Sequence, residues 1–357
     1  MNPAERAWRI ATDLAGVLPR ALAASPGGLR QLGEVALDEL ALTGMTLTAP
    51  PPKLERSVES CALAAQELSG LGVAGAHAEP KPLQVKSVRR RRIGRLAYEQ
   101  VTFEHDPLLP SSLAGFGGPA TAAVHLCRAV DERRPWLVWV HGAGQGQPLD
   151  LLFSRARRLQ SELGFNIALP VQPGHGIRRN SWPPYPNMDP LNNIAGMMRA
   201  ISEVRAVVRW LRPQSSAIAI SGVSMGSPVA ALVSHLETVD AVAVYTPIVG
   251  LNGMIAHHLG RWGPSVQPVS DLLGSAAVAA LNSAVDHLSV DPTPPPSRRL
   301  IVGAAYDRMA LREPALALHE HWGGHLYWHD GGHAGHLFSR RVQAESEKFL
   351  RGVGGVG

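Results

Sequence analysis

The chain has 357 residues, room for one large domain or a domain with an appendage, and 45% hydrophobic against 18% charged content excludes global disorder. Lys and Arg number 34 against 29 acids, a formal net charge of +5 that is too mild a bias for this length to call for a nucleic-acid partner. Two cysteines far apart, Cys61 and Cys127, speak against a disulfide framework or a cysteine-based metal site.

Met1 to Ser25 mix Glu5, Arg6, Arg9 and Asp13 with apolar residues, so a signal peptide's apolar core is missing. No run approaches the roughly 18 uncharged apolar residues that a membrane span needs. The expectation is a cytoplasmic protein. Residues 1–80 read as helical in three stretches. Trp8, Ala11, Ala15 and Leu18 recur at helical spacing. Leu29, Leu32, Ala36 and Leu40 form a second apolar stripe, and Leu54, Val58, Cys61, Ala65 and Leu68 a third. Pro26-Gly27-Gly28 and Ala49-Pro50-Pro51-Pro52 mark the breaks. These stripes predict a helical layer packed on the main domain. Trp8 and its basic neighbours keep a peripheral membrane contact as the alternative. Arg89 to Arg92 read as a solvated edge or linker ahead of an alternating strand, Leu96 to Phe103.

Further strands are predicted over Ala120 to Leu126, Trp136 to Val140 and Phe165 to Pro170. A proline-rich loop from Trp182 to Pro186 follows, and Asp189-Pro190 then starts a helix whose apolar stripe runs from Ile194 to Leu211. The strand Ala217 to Ser221 feeds a helix reaching Leu236, and Ala241 to Thr246 is the next strand. From about 249 to 296 the pattern loosens into Gly- and Pro-broken helical pieces, long for a plain connection. The strand Leu300 to Ala304 ends in Tyr306-Asp307-Arg308. A helix around Pro314 to Trp322, a strand Leu326 to Trp328 and a helix Val342 to Leu350 close the chain. Fully apolar strands alternating with helices predict an α/β fold with a mainly parallel central sheet flanked by helices.

In such a sheet, function gathers at the C-terminal strand ends. One of them carries Gly222-x-Ser224-x-Gly226, between an apolar strand and a helix. A side chain at 222 or 226 would collide with neighbouring chain, and the strained turn would lift the Ser224 hydroxyl clear of the sheet. Other ends carry His141-Gly142-Ala143-Gly144, Asp307, and a stretch leading to Gly331-Gly332-His333-Ala334-Gly335.

From about residue 96 to the end, this combination resembles the α/β-hydrolase superfamily, most closely its lipases, esterases and peptidases, whose order Ser…Asp…His it shares. The resemblance implies residues 96–357 as a hydrolase domain with a cap insertion at about 249–296, and residues 1–95 as a helical extension and linker. It implies Ser224 as nucleophile, His333 as general base and Asp307 as its orienting acid. The Met225 N–H, with one from Gly142, Ala143 or Gly144, would form the oxyanion hole. Asp330 rivals Asp307, and His329 and His336 rival His333. The glycines around His333 read as a mobile tight loop.

Apolar residues Ile248, Met254 and Trp262 of the cap, with Trp182 and Tyr185 at its rim, are candidates for a hydrophobic acyl pocket. The alternative is that they dock the cap. With 15 histidines a metal site needs weighing, but no His-Glu-x-x-His pattern occurs. The expectation is therefore a cofactor-free, metal-free serine hydrolase of a hydrophobic carboxylic ester, with neither nucleic acid nor a membrane span involved. Alternatives are a thioesterase, peptidase or acyltransferase with the same triad, or a non-catalytic hydrolase-fold binding protein. The sequence sets no oligomeric state.

Overall fold

The structure, a computed structural model, describes residues 26–48, 53–116, 121–129, 133–180 and 185–354. The predicted stripe from Trp8 to Leu18 and the rim residue Trp182 lie outside them. The strands are β1 Gln84–Ile93, β2 Leu96–Glu104, β3 Thr121–Cys127, β4 Trp136–Val140, β5 Asn166–Val171, β6 Ile218–Val223, β7 Ala241–Tyr245, β8 Arg299–Ala304 and β9 His325–His329. The helices are α1 Pro26–Thr48, α2 Val58–Leu68, α3 Gly72–Ala76, α4 Asp150–Phe153, α5 Ala156–Glu162, α6 Pro190–Leu211, α7 Gly226–Leu236, α8 Leu251–Leu259, α9 Gln267–Leu273, α10 Ala276–Asn282, α11 Glu313–Trp322 and α12 Arg340–Gly354. Among the described residues no single helix is long and apolar enough to cross a membrane.

The strands form one sheet in the order β1-β2-β3-β5-β4-β6-β7-β8-β9. From β5 to β9 all neighbours run parallel, as predicted, whereas β1, β2 and β3 pair antiparallel at one edge. Strands β4, β5, β6 and β8 are buried throughout, because helices cover both faces; this is why they read as continuous apolar runs. One large apolar core lies between the sheet and α6 and α7, and a second beneath α5 and α12.

The expected boundary between residues 95 and 96 falls in the turn between β1 and β2. Strand β1 carries Arg89 to Arg92, and pairs along its length with β2. Its composition hides it: nearly every side chain faces water, so no apolar alternation marks it, and charged side chains suit an exposed edge.

Helix α1 departs from prediction in orientation. The two ends of its expected inner stripe turn outward, with Leu29 at 62% and Leu40 at 67% exposure, Leu32 and Ala36 are half-buried, and Val35, Asp38, Glu39 and Leu42 are buried. The helix docks through its acids as much as through its apolar residues, for reasons that lie in the partners described below.

Helix α6 starts as predicted: the Asp189 carboxylate caps it, accepting from the N–H of Leu191 (3.0 Å). It also carries a buried charge cluster. Glu203 accepts both guanidinium nitrogens of Arg178 (2.6 and 2.8 Å) and the Nε of Arg199 (3.0 Å). Arg178 lies in the segment after β5 and also donates to the Val171 carbonyl (2.7 Å), so α6 pins that segment. Removing the carboxylate takes a shared, buried counterion from two cations. Glu203→Ala is therefore expected to lower stability by about 3–5 kcal/mol, measured by urea unfolding.

Candidate active site

The turn between β6 and α7 puts Ser224 at φ +51, a left-handed conformation that a side chain adopts only when its surroundings enforce it. A Cβ on Gly222 would strike the Gly226 main chain, and one on Gly226 the carbonyls of Val140 and His141. Both glycines are thus required by close backbone passage. The Ser224 N–H donates to the Tyr245 carbonyl (2.9 Å), which ties the turn to β7.

From the loop after β9, His333 reaches Ser224: Nε2 lies 2.8 Å from Oγ, and Nδ1 lies 2.8 Å from Asp307 Oδ2. With the proton on Nδ1, the imidazole donates to Asp307 and accepts from the serine hydroxyl. Asp307 follows β8, and its other oxygen accepts the N–H groups of Met309 (2.8 Å) and Ala310 (2.7 Å), which fixes its rotamer. The rivals are placed elsewhere. Asp330 is exposed, and His329 bonds Glu34 (3.0 Å). His336 turns Nδ1 to the His333 carbonyl (2.8 Å) and stacks on Tyr245.

Electrostatics separate these histidines further. Burial alone would lower the His333 pKa, but the adjoining Asp307 carboxylate, with Asp38 behind it, outweighs burial and raises it above the ordinary 6.5. Burial pushes His336 down to about 4.

The loop after β4 comes beside Ser224. His141 is its scaffold: Nδ1 bonds the Gly142 carbonyl (2.8 Å), and Nε2 accepts the Gln172 N–H (3.0 Å). Burial lowers its pKa to about 3, so it stays neutral. Gly142 differs from expectation. Its N–H donates to Gln145 Oε1 (2.7 Å), so its hydrogen is already engaged. A Cβ there would be tightly placed, 3.3 Å from Ser224 Cβ and 3.2 Å from the Val223 carbonyl. Of the three donors expected from this loop, that leaves the N–H groups of Ala143 and Gly144, the latter residue at φ +74.

Of the residues expected to line an acyl pocket, the four described ones fall in two clusters. Tyr185 packs its ring against Gly196 in the main core, and Ile248 is buried in the same core. Met254 is half-buried against it. Trp262 joins Leu259, Val266, Val269 and Leu273 in a small cluster of its own, within the segment expected to be a cap. An apolar cavity between the sheet and α12, lined by Trp139, Phe153, Tyr245, His336 and Phe349, includes none of these four. Among the described residues, no group of three or more His, Cys, Asp or Glu side chains is arranged to hold a metal ion.

No protein-family model matches the chain. It is 30% identical over 361 residues to an uncharacterized protein, MT2702, of Mycobacterium tuberculosis strain CDC 1551 / Oshkosh, covering 95% of this chain and 85% of that one. It is 33% identical over 285 residues to the uncharacterized protein Rv2627c of strain ATCC 25618 / H37Rv, covering 75% and 68%. The chain belongs to the family of these two proteins. Its fold is that of the α/β-hydrolase superfamily. Acetyl xylan esterase 1 of Thermoanaerobacterium sp. JW/SL YS485 superposes with a TM-score of 0.54 at 13% identity, over 85% of this chain and 96% of that one. The acetyl xylan esterase of Paenibacillus sp. R4 does so at 0.53 and 16%, with the same coverage.

Within this fold the relay has a measurable signature. The His333 imidazole is expected to titrate above pH 6.5, followed by histidine carbon–proton NMR. Asp307→Asn removes the compensating charge and leaves the burial, so the midpoint should move to lower pH.

Proposed function

We propose that the protein is a serine hydrolase that cleaves carboxylic esters through an acyl-enzyme on Ser224. The observation that carries this reading is the unbroken relay from Asp307 through His333 to a serine hydroxyl on a strained strand-to-helix turn.

In this mechanism Ser224 Oγ bonds to the ester carbonyl carbon while its proton passes to His333 Nε2. Asp307 holds the ring and stabilises the imidazolium. The negative oxygen of the tetrahedral adduct accepts the Met225 N–H at the start of α7 and one N–H from Ala143 or Gly144. Collapse breaks the ester C–O bond, and His333 returns its proton to the departing alcohol. Water then attacks the acyl carbon, gives a proton to His333 and releases the acid, and Ser224 recovers its hydrogen.

Only the neutral imidazole accepts the serine proton. Activity is therefore expected to fall as pH drops through the raised His333 pKa, and to hold above it. The wild type should label with a fluorophosphonate and hydrolyse p-nitrophenyl esters. Ser224→Ala should lose labelling and more than about 10³-fold in kcat/KM. Wild-type protein that neither labels at Ser224 nor turns over these esters would refute the reading. The solved esterases of this fold are named for acetylated xylan, so acetate begins the ester series. A rate rising from acetate towards decanoate would support a hydrophobic acyl group, and a flat or falling series would exclude one.

A further inference from the structure

Helix α1 meets the relay through three carboxylates, all on its buried face. Glu34 bonds His329 (3.0 Å) and Arg30 (2.8 Å). Glu39, 2% exposed, bonds Arg261 (2.6 and 3.2 Å) and Arg308 (2.8 Å), the neighbour of Asp307. Asp38 lies between them at 1% exposure. It accepts the main-chain N–H of His333 at 2.6 Å, with longer bonds from Ala334 and Arg308, both at 3.4 Å. One carboxylate thus ties the loop of the base to the loop of its orienting acid.

The glycines around His333 fit this arrangement. Gly331, Gly332 and Gly335 have no left-handed φ, so conformational freedom does not account for them. Space does. A Cβ on Gly332 would lie 2.7 Å from Asp38 Oδ2 and 2.9 Å from the Glu34 carbonyl, and one on Gly331 or Gly335 would overlap the Glu34 carboxylate. The loop is cut to receive α1.

We propose that Asp38, delivered by the N-terminal helix, is a positioning residue that sets the His333 main chain so that the imidazole bridges Asp307 and Ser224. The proposal rests on the hydrolase reading above. Asp38 touches no substrate in this role. It acts through the base, and a shift of about 1 Å in a reacting group costs on the order of 10²-fold in rate.

The test uses the full chain, with wild type, Asp38→Ala and Asp38→Asn compared on p-nitrophenyl acetate and by the rate of fluorophosphonate labelling of Ser224. Asp38→Ala should lose about 10²-fold in kcat and in labelling rate, with KM within two-fold of wild type. Asp38→Asn keeps one acceptor for the His333 N–H and should recover about tenfold of that loss. This split and rescue would not follow from a lower folded fraction, which circular dichroism and the thermal transition report. Wild-type kcat in a folded Asp38→Ala, or a loss that tracks the folded fraction, overturns the proposal. Should Asp38→Ala fail to fold, Asp38→Asn decides alone: lowered kcat at unchanged KM supports the role, and wild-type kcat overturns it. A wild type that neither labels at Ser224 nor turns over the ester removes the hydrolase reading and this one together. Labelling of the wild type with an unimpaired folded variant removes only the role of Asp38.

Discussion

At the turn between β6 and α7, three lengths of backbone pass so closely that no Cβ fits at 222 or 226. The left-handed φ of Ser224 is held because the chain on both sides is anchored. Its N–H is bonded to the end of β7, and β6 is sandwiched between β4 and β7. The cost of the strained residue falls on the whole sheet, which cannot relax one turn without separating paired strands. The rest of the site is arranged around this fixed hydroxyl. Asp307 and His333 approach it from the ends of β8 and its neighbour β9, and the glycine loop approaches from β4.

Support for the glycine loop is transmitted through buried polar groups. Glu203 on α6 holds Arg178, and the segment from Val171 to Arg178 carries Gln172, whose N–H fixes His141. His141 in turn bonds the Gly142 carbonyl beside Ser224. Each member is desolvated and each has a partner, so a displacement anywhere in the series leaves a buried group unsatisfied. His141 supports the loop as a neutral ring whose two nitrogens both serve the backbone.

The N-terminal helix reverses the usual logic of an amphipathic element. Its buried face spends three carboxylates on neighbouring loops while three of its leucines face outward. Burying charge is costly without partners, and here the partners are Arg261, Arg308, His329 and the N–H groups of the His333 loop. An apolar stripe is only evidence of what a helix could bury. The partner surface decides which face it does bury.

The elbow was legible in the sequence because its steric demand is local: the glycines lie two residues from Ser224, and the apolar run and helix adjoin them. The parallel sheet was legible for the same kind of reason, since burial on both faces leaves continuous apolar strands. Strand β1 was hidden because its stabilisation is backbone pairing, which composition does not record. The engagement of the Gly142 N–H by Gln145, the division of the described pocket candidates between two clusters, and the docking of Asp38 on a loop 295 residues away are contacts of side chains whose positions depend on the assembled fold. By itself the sequence determined the strained serine turn and the sheet that carries it, for both follow from neighbours along the chain. Only the tertiary structure decided that the helix at the start of the described chain reaches the histidine loop, because backbone N–H groups and the space left by glycine carry no mark of what will fill them.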